Sequence, residues 1–376
     1  MRCPRCGELL DAELIAEMIH IRWDRLHGRG VWRYERLLPR LNSVVTMGEG
    51  STPLIRLKQF SNAYVKFEGL NPTGSFKDRG MTIGTSLALA IGARGIIVAS
   101  TGNTAASAAA YSARAGLECL VVLPRGGVAR GKLAQSMLHN ARILEVTGTF
   151  DNALEYVLDS VLSNGAVNGV NYYPLNSINP WRLEGQKTIA YEIVEELGVP
   201  DFVFVPVGNG GNIYAIWKGF RELVELGVID RVPRMMGVQA EGANPMVRYW
   251  RGLGEAKIEN PRTVASAIRI GKPINWFRAF RAVKYSNGTF LEVSDEEILN
   301  AQRVLGREGI GVEPASAASL AGYLRALKDG LVDRNDKVVL IATGHALKDP
   351  DILTMGNAQF MRVSSINELR TLIATK

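Results

Sequence analysis

Short runs of apolar, β-prone residues recur along this chain, separated by stretches with helical patterning. Such runs, bounded by glycines and polar residues, are typical of strands buried on both faces. Their alternation with helices predicts parallel or mixed sheets covered by helices on both sides, which is the α/β class. We interpret as strands residues 63–67, 95–99, 119–123, 142–146, 202–207, 235–239 and 338–342. Helices are expected between them, including residues 105–115, 183–197 and 315–327.

Composition narrows the class of protein. The chain has 376 residues, 47% of them hydrophobic, which is enough for two domains. No apolar run approaches the roughly 18 residues of a membrane span, and the N-terminus lacks the apolar stretch of a signal peptide, so we expect a cytoplasmic protein with no membrane partner. The net charge of +7 is dispersed rather than gathered in basic runs, so nucleic acid is not an expected partner either.

One lysine, Lys77, stands in the segment Asn-Pro-Thr-Gly-Ser-Phe-Lys-Asp-Arg-Gly (residues 71–80), just before a helical stretch. An amine that is partly desolvated near the positive end of a helix has a lowered pKa and can attack an aldehyde as a neutral nucleophile. Pyridoxal phosphate is the aldehyde cofactor that this chemistry suggests. A lysine in the first turn of a helix is more often a solvated surface charge, so the interpretation depends on the loops that accompany it.

Two loops follow predicted strands, as cofactor sites do in open parallel sheets. Residues 100–104, Ser-Thr-Gly-Asn-Thr, open a helix and offer hydroxyl and amide donors to a carboxylate or phosphate. Residues 208–212, Gly-Asn-Gly-Gly-Asn, contain three glycines that let backbone amides crowd onto an anion, although an ordinary strand-to-helix turn would look similar. Neither loop has the spacing of a nucleotide-binding motif.

Together with Met-Gly-Glu-Gly-Ser-Thr-Pro-Leu (residues 47–54) and Thr-Gly-His-Ala-Leu-Lys-Asp (residues 343–349), these segments resemble the threonine synthases, a family of fold-type II pyridoxal phosphate enzymes with a tryptophan synthase β-like fold. The resemblance runs from about residue 30 to about residue 355, with the motifs in family order. It implies a small α/β domain at residues 93–178, inserted into a large cofactor-binding domain formed by residues 31–92 and 179–376. It also implies a cofactor in the cleft between the domains, and a homodimer.

The resemblance assigns the cofactor residues. Lys77 would carry the Schiff base and move protons, Asn103 would hydrogen-bond the phenolic oxygen, and Thr343 would meet the pyridine nitrogen. A neutral hydroxyl at that nitrogen does not enforce its protonation, which favours elimination over transamination. The residues expected to bind the cofactor phosphate are Gly208, Asn209, Gly210, Gly211 and Asn212.

For the substrate, residues 176–187 are similar to the family segment that binds the leaving phosphate. Arg182 suits that task because a guanidinium offers two parallel donors to a phosphate. The implied reaction converts O-phospho-L-homoserine and water to L-threonine and phosphate by γ-elimination and β-hydration, so the enzyme would be a carbon–oxygen lyase acting on phosphates. The residues expected to bind the substrate are Ser100, Thr101, Thr104, Asn176, Ser177 and Arg182.

Other functions remain open at this point. A cysteate synthase acting on O-phosphoserine, or a serine/threonine dehydratase, would keep Lys77 and the glycine loop. The 100–104 loop and the Arg182 segment favour a phosphorylated substrate and so disfavour the dehydratase. A non-catalytic cofactor-binding or interaction protein is a distant alternative, because the lysine, asparagine, glycine loop and threonine are all intact.

The N-terminus departs from the family pattern. Residues 1–30 are zinc-ribbon-like but degenerate: Cys3-Pro-Arg-Cys6 forms half of a ribbon, and the second knuckle that many members carry is absent. His20 and His27 are separated by more residues than the usual about three to five, so we expect no bound metal and a helix over residues 11–19 instead. Ala346 stands where the family usually has glycine, which would strain the backbone if that position required positive φ.

Overall fold

A computed structural model describes residues 1–16, 19, 21–125, 130–148, 150–162, 171–354 and 363–374. Its strands are β1 (Leu54–Arg56), β2 (Ala63–Phe67), β3 (Gly95–Ala99), β4 (Glu118–Pro124), β5 (Arg142–Val146), β6 (Tyr172–Pro174), β7 (Phe202–Pro206), β8 (Arg234–Ala240), β9 (Thr289–Val293) and β10 (Val338–Ala342). The α-helices are α1 (Lys77–Ala90), α2 (Asn103–Ala115), α3 (Arg130–Leu138), α4 (Phe150–Leu162), α5 (Trp181–Gln186), α6 (Thr188–Leu197), α7 (Gly211–Glu225), α8 (Pro245–Trp250), α9 (Trp276–Tyr285), α10 (Asp295–Arg307), α11 (Pro314–Lys328), α12 (Pro350–Thr354) and α13 (Ile366–Ala374).

The larger of two sheets has six strands in the order β1-β2-β10-β7-β8-β9. All neighbours are parallel except β1, which pairs antiparallel with β2 at the edge. Alternate residues of β7 enter different apolar clusters: Phe202 and Phe204 pack with α10 and α11, whereas Val203 and Val205 pack with α6, α7 and α9. The sheet is therefore buried on both faces, which explains why its strands are continuous apolar runs.

The smaller sheet has four parallel strands in the order β5-β4-β3-β6. Its strands run from residue 95 to residue 174, inside the range 93–178 that we expect for the small domain. The domain boundaries themselves stay a prediction.

All seven predicted strands are present, with ends that differ by no more than one residue. The strands that sequence patterning missed are β1, β6 and β9. Two of these have three residues each, too few for a run of apolar side chains to stand out. Within the described ranges, no helix is long and apolar enough to span a bilayer.

Two predicted helices differ from the structure. The helix expected over 183–197 is two helices, α5 and α6, which meet at Lys187. The helix expected over 11–19 is wrong for residues 11–15, which have no regular secondary structure; Glu17 and Met18 lie outside the described residues. The Asp11 carboxylate accepts from the Tyr214 hydroxyl, and the Ala12 carbonyl accepts from Lys218. These tertiary contacts outweigh the local helical pattern.

Candidate active site

The site lies where parallel strands end. β7 and β10 are neighbours in the large sheet, and their carboxyl ends lead into Gly208 and Thr343 respectively. Because both strands run the same way, the two loops meet at one edge of the sheet, as ligand sites do in open α/β folds. A cleft of about 700 Å³, including space continuous with solvent, opens there and is lined by both loops together with Lys77, Asn103 and Arg182.

Lys77 is the first residue of α1, and the chain before it forms backbone hydrogen bonds with the residues that follow β10. The Phe76 amide donates to the Thr343 carbonyl at 3.0 Å, and Ser75 forms an isolated antiparallel bridge with Gly344. The Lys77 side chain is half-buried, with Nζ 4.2 Å from the centre of the Phe76 ring. Burial, together with the nearby Arg182 cation, lowers the pKa of Lys77 to about 7, although Glu313 opposes the shift. A substantial neutral fraction therefore exists at neutral pH.

The glycine loop is built to approach an anion closely. Gly210 has φ of +83°, and a Cβ there would lie 2.9 Å from the Ala279 Cβ and 3.0 Å from the Asn275 carbonyl oxygen. Directly after it α7 begins with no side-chain cap, so its first-turn N–H groups are not satisfied by a capping side chain. The Asn212 side chain is buried, and neither of its polar atoms has a partner among the residues described. Orphaned amides and a positive helix end fit a phosphate.

Thr343 directly follows β10, the neighbour of the strand that leads into this loop. Its hydroxyl is 3.0 Å from the Ser316 hydroxyl, which also donates to the Gly344 carbonyl at 3.0 Å and accepts from the Gly344 amide at 2.7 Å. Ser316, in the first turn of α11, was not found from the sequence, because it lies in an ordinary Ala- and Ser-rich helix. The bonds hold the Thr343 side chain at the rim of the cleft.

Asn103 contacts Glu313, a second site residue that the sequence analysis did not identify. Its Nδ2 donates to both carboxylate oxygens of Glu313, at 3.0 and 3.2 Å. Glu313 is buried beside Gly344, where an added Cβ would come within 2.5 Å of its Oε1. Burial raises the pKa of Glu313 to about 7, opposed by the Asn103 hydrogen bond and by the Lys348 and Lys77 cations. An acidic residue in the apolar stretch Gly-Val-Glu-Pro-Ala was the one available signal.

Two glycines allow close packing of the helices that carry Lys77 and Arg182. A Cβ on Gly185 would lie 1.7 Å from the Arg79 carbonyl oxygen, and one on Gly80 would lie 2.8 Å from the Arg182 carbonyl oxygen, so α1 and α5 are in backbone contact. Lys77 and Arg182 each precede one of these glycines by three residues, which is one helical turn. Arg182 is buried, its Nε has no partner in the described part of the chain, and burial lowers its pKa to about 10.

The remaining substrate candidates separate into two groups. Ser177 lines the cleft, and its carbonyl accepts from Asn275 Nδ2 at 3.0 Å. Asn176 does not line it. Its side-chain Nδ2 donates to the Ala99 carbonyl at 2.8 Å, and its Oδ1 accepts from the Ala99 backbone N–H at 3.0 Å, so the side chain is bound to the end of β3. Ser100, Thr101 and Thr104 are partly exposed beside Asn103 but are not part of the cleft wall. Substrate contacts for all six candidates, including Ser177 and Arg182, stay a prediction.

The His-Ala-Leu-Lys-Asp segment after Thr343 makes packing contacts. The His345 ring stacks on Phe67 with centroids 6.1 Å apart, and Lys348 Nζ donates to the Thr73 carbonyl at 3.0 Å. Ala346 begins a 3₁₀ turn, Ala346–Lys348, and is not among the described non-glycine residues with positive φ. The alanine is therefore compatible with the local backbone.

Cys3 and Cys6 are free thiols near the chain start. Among the described residues no three His, Cys, Asp or Glu side chains gather as a metal-binding group. His20, which we considered as a partner, lies outside the described residues.

The sequence profile of the family described as "Pyridoxal-phosphate dependent enzyme" matches residues 45–344, which include every element that lines the cleft. The chain belongs to this family. The α/β class and the cofactor predicted from the sequence are confirmed, and the paired loops, lysine and orphaned amide provide groups that fit an aldehyde-bearing phosphate.

Relatives narrow the family to the threonine synthases. The threonine synthase of Methanocaldococcus jannaschii is 48% identical over an alignment that covers 99% of this chain and 98% of that protein. That of Mycobacterium tuberculosis is 52% identical, covering 82% and 84%. Among solved structures, threonine synthase from Escherichia coli has a TM-score of 0.69 at 21% identity, covering 85% of this chain and 75% of that one, a likeness that concerns the fold.

Proposed function

We propose that this protein converts O-phospho-L-homoserine and water to L-threonine and phosphate. The observation that carries the proposal is the pairing, in one cleft, of a lysine whose pKa is lowered to about 7 with a buried arginine for which the described residues supply no ion pair. The lysine suits covalent attachment of an aldehyde, and the arginine suits a phosphate dianion. The threonine synthases that are about half identical to this chain support the same reaction.

Each group around the cleft has a proposed task toward the cofactor. Lys77 anchors it, the amides of Gly208 to Asn212 and the N-terminus of α7 bind its phosphate, and Asn103 and Thr343 hold its ring. Bound in this way, pyridoxal phosphate withdraws electrons from the α-carbon of an attached amino acid and makes the α-proton acidic. Glu313 fixes the orientation of the Asn103 amide, because Nδ2 points at its carboxylate.

Proton transfers fall to Lys77. Once the incoming substrate amine has freed its amine, Lys77 would take the α-proton and give it up to the conjugated cofactor before it takes a β-proton. It would deliver the β-proton to the γ-carbon once phosphate has left, and the α-carbon would regain its proton after water adds at the β-carbon. An amine with a pKa near 7 can both accept and donate protons at neutral pH, whereas one at the ordinary value of 10.5 would remain protonated.

Arg182 acts at the γ-carbon end of the substrate. Negative charge grows on the phosphate group as the carbon–oxygen bond breaks, and a desolvated guanidinium stabilises that charge more than an exposed one would. Ser177, on the same wall of the cleft, is placed to contribute its hydroxyl.

Phosphate release from O-phosphohomoserine and from O-phosphoserine with sulfite, measured side by side, tests the reaction. Threonine and phosphate in equal amounts from the first substrate, with little release from the second, is the expected result. Preferential sulfite-dependent release from phosphoserine would instead identify a cysteate synthase, and 2-oxobutanoate formed from L-threonine would identify a dehydratase.

The resemblance further supports a homodimer located in the cytoplasm. Light scattering of the purified protein checks the first point, with a mass near twice the 41.1 kDa of one chain expected. A single-chain mass would contradict it.

A further inference from the structure

The N-terminal segment lies outside the matched family region, yet three consecutive residues, Leu10, Asp11 and Ala12, contact α7, which follows the glycine loop, and α9. Arg278 of α9 donates from Nη2 to the Leu10 carbonyl at 2.5 Å. Asp11 accepts from the Tyr214 hydroxyl of α7 and lies 3.8 Å from Arg278 Nε. We call residues 10–12 the N-terminal clasp.

From the clasp, a chain of buried hydrogen bonds leads to the loop. Arg278 donates from Nη1 to Asn275 Oδ1 at 2.8 Å, and the backbone N–H of Asn275 donates to the backbone carbonyl of Asn209 at 2.9 Å. Arg278 and Asn275 are 6% and 1% exposed, so these bonds are shielded from competing water. Two hydrogen-bonding residues thus separate Leu10 from the loop that we assign to the cofactor phosphate.

Asn275 also controls the position of the loop by contact. Its carbonyl oxygen would be 3.0 Å from a Cβ on Gly210, and its Nδ2 would be 3.5 Å from one on Gly211, so the loop backbone rests on it. The same Nδ2 donates to the Ser177 carbonyl, on the substrate side of the cleft. A displacement of Asn275 would therefore move both walls.

We propose that the N-terminal clasp positions the cofactor-phosphate loop, with Arg278 and Asn275 as the positioning residues that connect them. The inference rests on the proposed role of Gly208 to Asn212. Its physical basis is preorganisation: backbone donors that are already held in place bind an anion more tightly than donors that must be ordered on binding. The segment that was expected to form a helix thereby receives a function.

The test compares the variant Asp11→Ala with the matched control Glu13→Ala. For each full-length, cofactor-free protein, the dissociation constant of pyridoxal phosphate is measured by absorbance and fluorescence titration. Glu13 is two residues away, its side chain is 73% exposed, and its nearest described cation, Arg221, is 4.0 Å away. Asp11→Ala should weaken cofactor binding about 5- to 30-fold, the effect of one or two lost hydrogen bonds, and Glu13→Ala should leave it unchanged. Asn275→Ala should have the larger effect.

Two further measurements separate positioning from general damage. Saturating cofactor should restore the kcat of Asp11→Ala, whereas a variant with impaired folding would keep a reduced active fraction. Asp11→Asn, which keeps a hydrogen-bond acceptor for Tyr214, should lie between Asp11→Ala and the parent. Equal cofactor affinity in Asp11→Ala, Glu13→Ala and the parent would overturn the proposal.

Gly210→Ala distinguishes failure of this inference from failure of the loop assignment. Because its Cβ would meet Asn275 and Ala279, we expect it to lose cofactor affinity whether or not the clasp matters. If Gly210→Ala keeps full affinity, the loop is not the phosphate site. If Gly210→Ala loses affinity and Asp11→Ala does not, the loop assignment stands and the clasp proposal is wrong.

Discussion

Four cations in or next to α1 and α5 have contrasting surroundings: Arg79 and Lys187 are paired with carboxylates, whereas Lys77 and Arg182 face the cleft. Arg79 of α1 is fully buried and bonds to Glu68 and Glu192, each at 2.7 Å, whereas Lys77, two residues earlier, faces the cleft. On the α5 side, Lys187 is buried against Glu184 and Glu222, whereas Arg182 has no described ion pair. Carboxylates of the protein neutralise Arg79 and Lys187, whereas Lys77 and Arg182 are available to a ligand.

The pKa values follow this division. Burial lowers the pKa of Lys187, but the two carboxylates outweigh burial and hold it above the ordinary value; the pKa of Arg79 is likewise held high by Glu192 and Glu68 against burial. For Arg182 burial acts alone, and its pKa falls to about 10. A cation desolvated without a counter-charge is costly to the folded state, so its presence in a cleft indicates a function.

The largest effect is expected for Lys77→Ala, which removes the amine that attaches the cofactor. Turnover should fall to background, and the long-wavelength absorbance of the bound cofactor should disappear, while the free energy of unfolding of the cofactor-free protein stays within about 1 kcal/mol of the parent. Absorbance spectra and urea unfolding measure the two quantities. A variant that retained the absorbance band would refute the assignment.

Arg79→Met tests the other half of the comparison. Removing the guanidinium leaves Glu68 and Glu192 buried without their partner, which should destabilise the protein by roughly 3 to 5 kcal/mol in urea unfolding. The companion change Arg79→Met with Glu68→Gln should recover part of that loss, because one uncompensated charge is removed. An unchanged unfolding midpoint for Arg79→Met would show that the buried network does not stabilise the fold.

Arg182→Ala should affect the reaction rather than cofactor binding. Loss of a charge-assisted contact to the leaving phosphate should reduce kcat/KM about 30- to 1,000-fold, or roughly 2 to 4 kcal/mol of transition-state stabilisation. Arg182→Lys should recover only part, since an ammonium keeps the charge without the planar fork. Cofactor loss with retained turnover on reconstitution would move Arg182 to a structural role.

The smallest effects concern the pKa of Lys77, which the Arg182 cation lowers and the Glu313 carboxylate raises. The rate of cofactor attachment should rise with pH as the ammonium loses its proton, and should level off above about pH 7. Glu313→Gln should shift that profile to lower pH, and Arg182→Ala should shift it to higher pH. Stopped-flow absorbance across a pH series checks both signs, and shifts in the same direction would contradict the electrostatic account.

Sequence patterns predicted the parts of the site that are each formed by a single continuous segment of the chain. The lysine turn, the glycine loop and the strands before them are local features, so residue types and spacing indicate them. Glu313 and Asn275 were missed because their partners are distant along the chain: Asn103 is 210 residues from Glu313, and Ser177 is 98 residues from Asn275. The N-terminal helix was wrongly predicted for the same reason, since contacts with α7 and α9 decide the conformation of residues 11–15.

The backbone contact between α1 and α5 has a consequence for substrate length. With only hydrogen atoms at Gly80 and Gly185 between the two helices, the backbones that carry Lys77 and Arg182 are held at a fixed separation. In the proposed reaction, a substrate would reach from its α-carbon near Lys77 to its phosphate near Arg182. O-Phosphoserine is shorter than O-phosphohomoserine by one carbon–carbon bond, about 1.5 Å, so the proposed preference for the longer substrate would depend on two glycines that have no chemistry of their own.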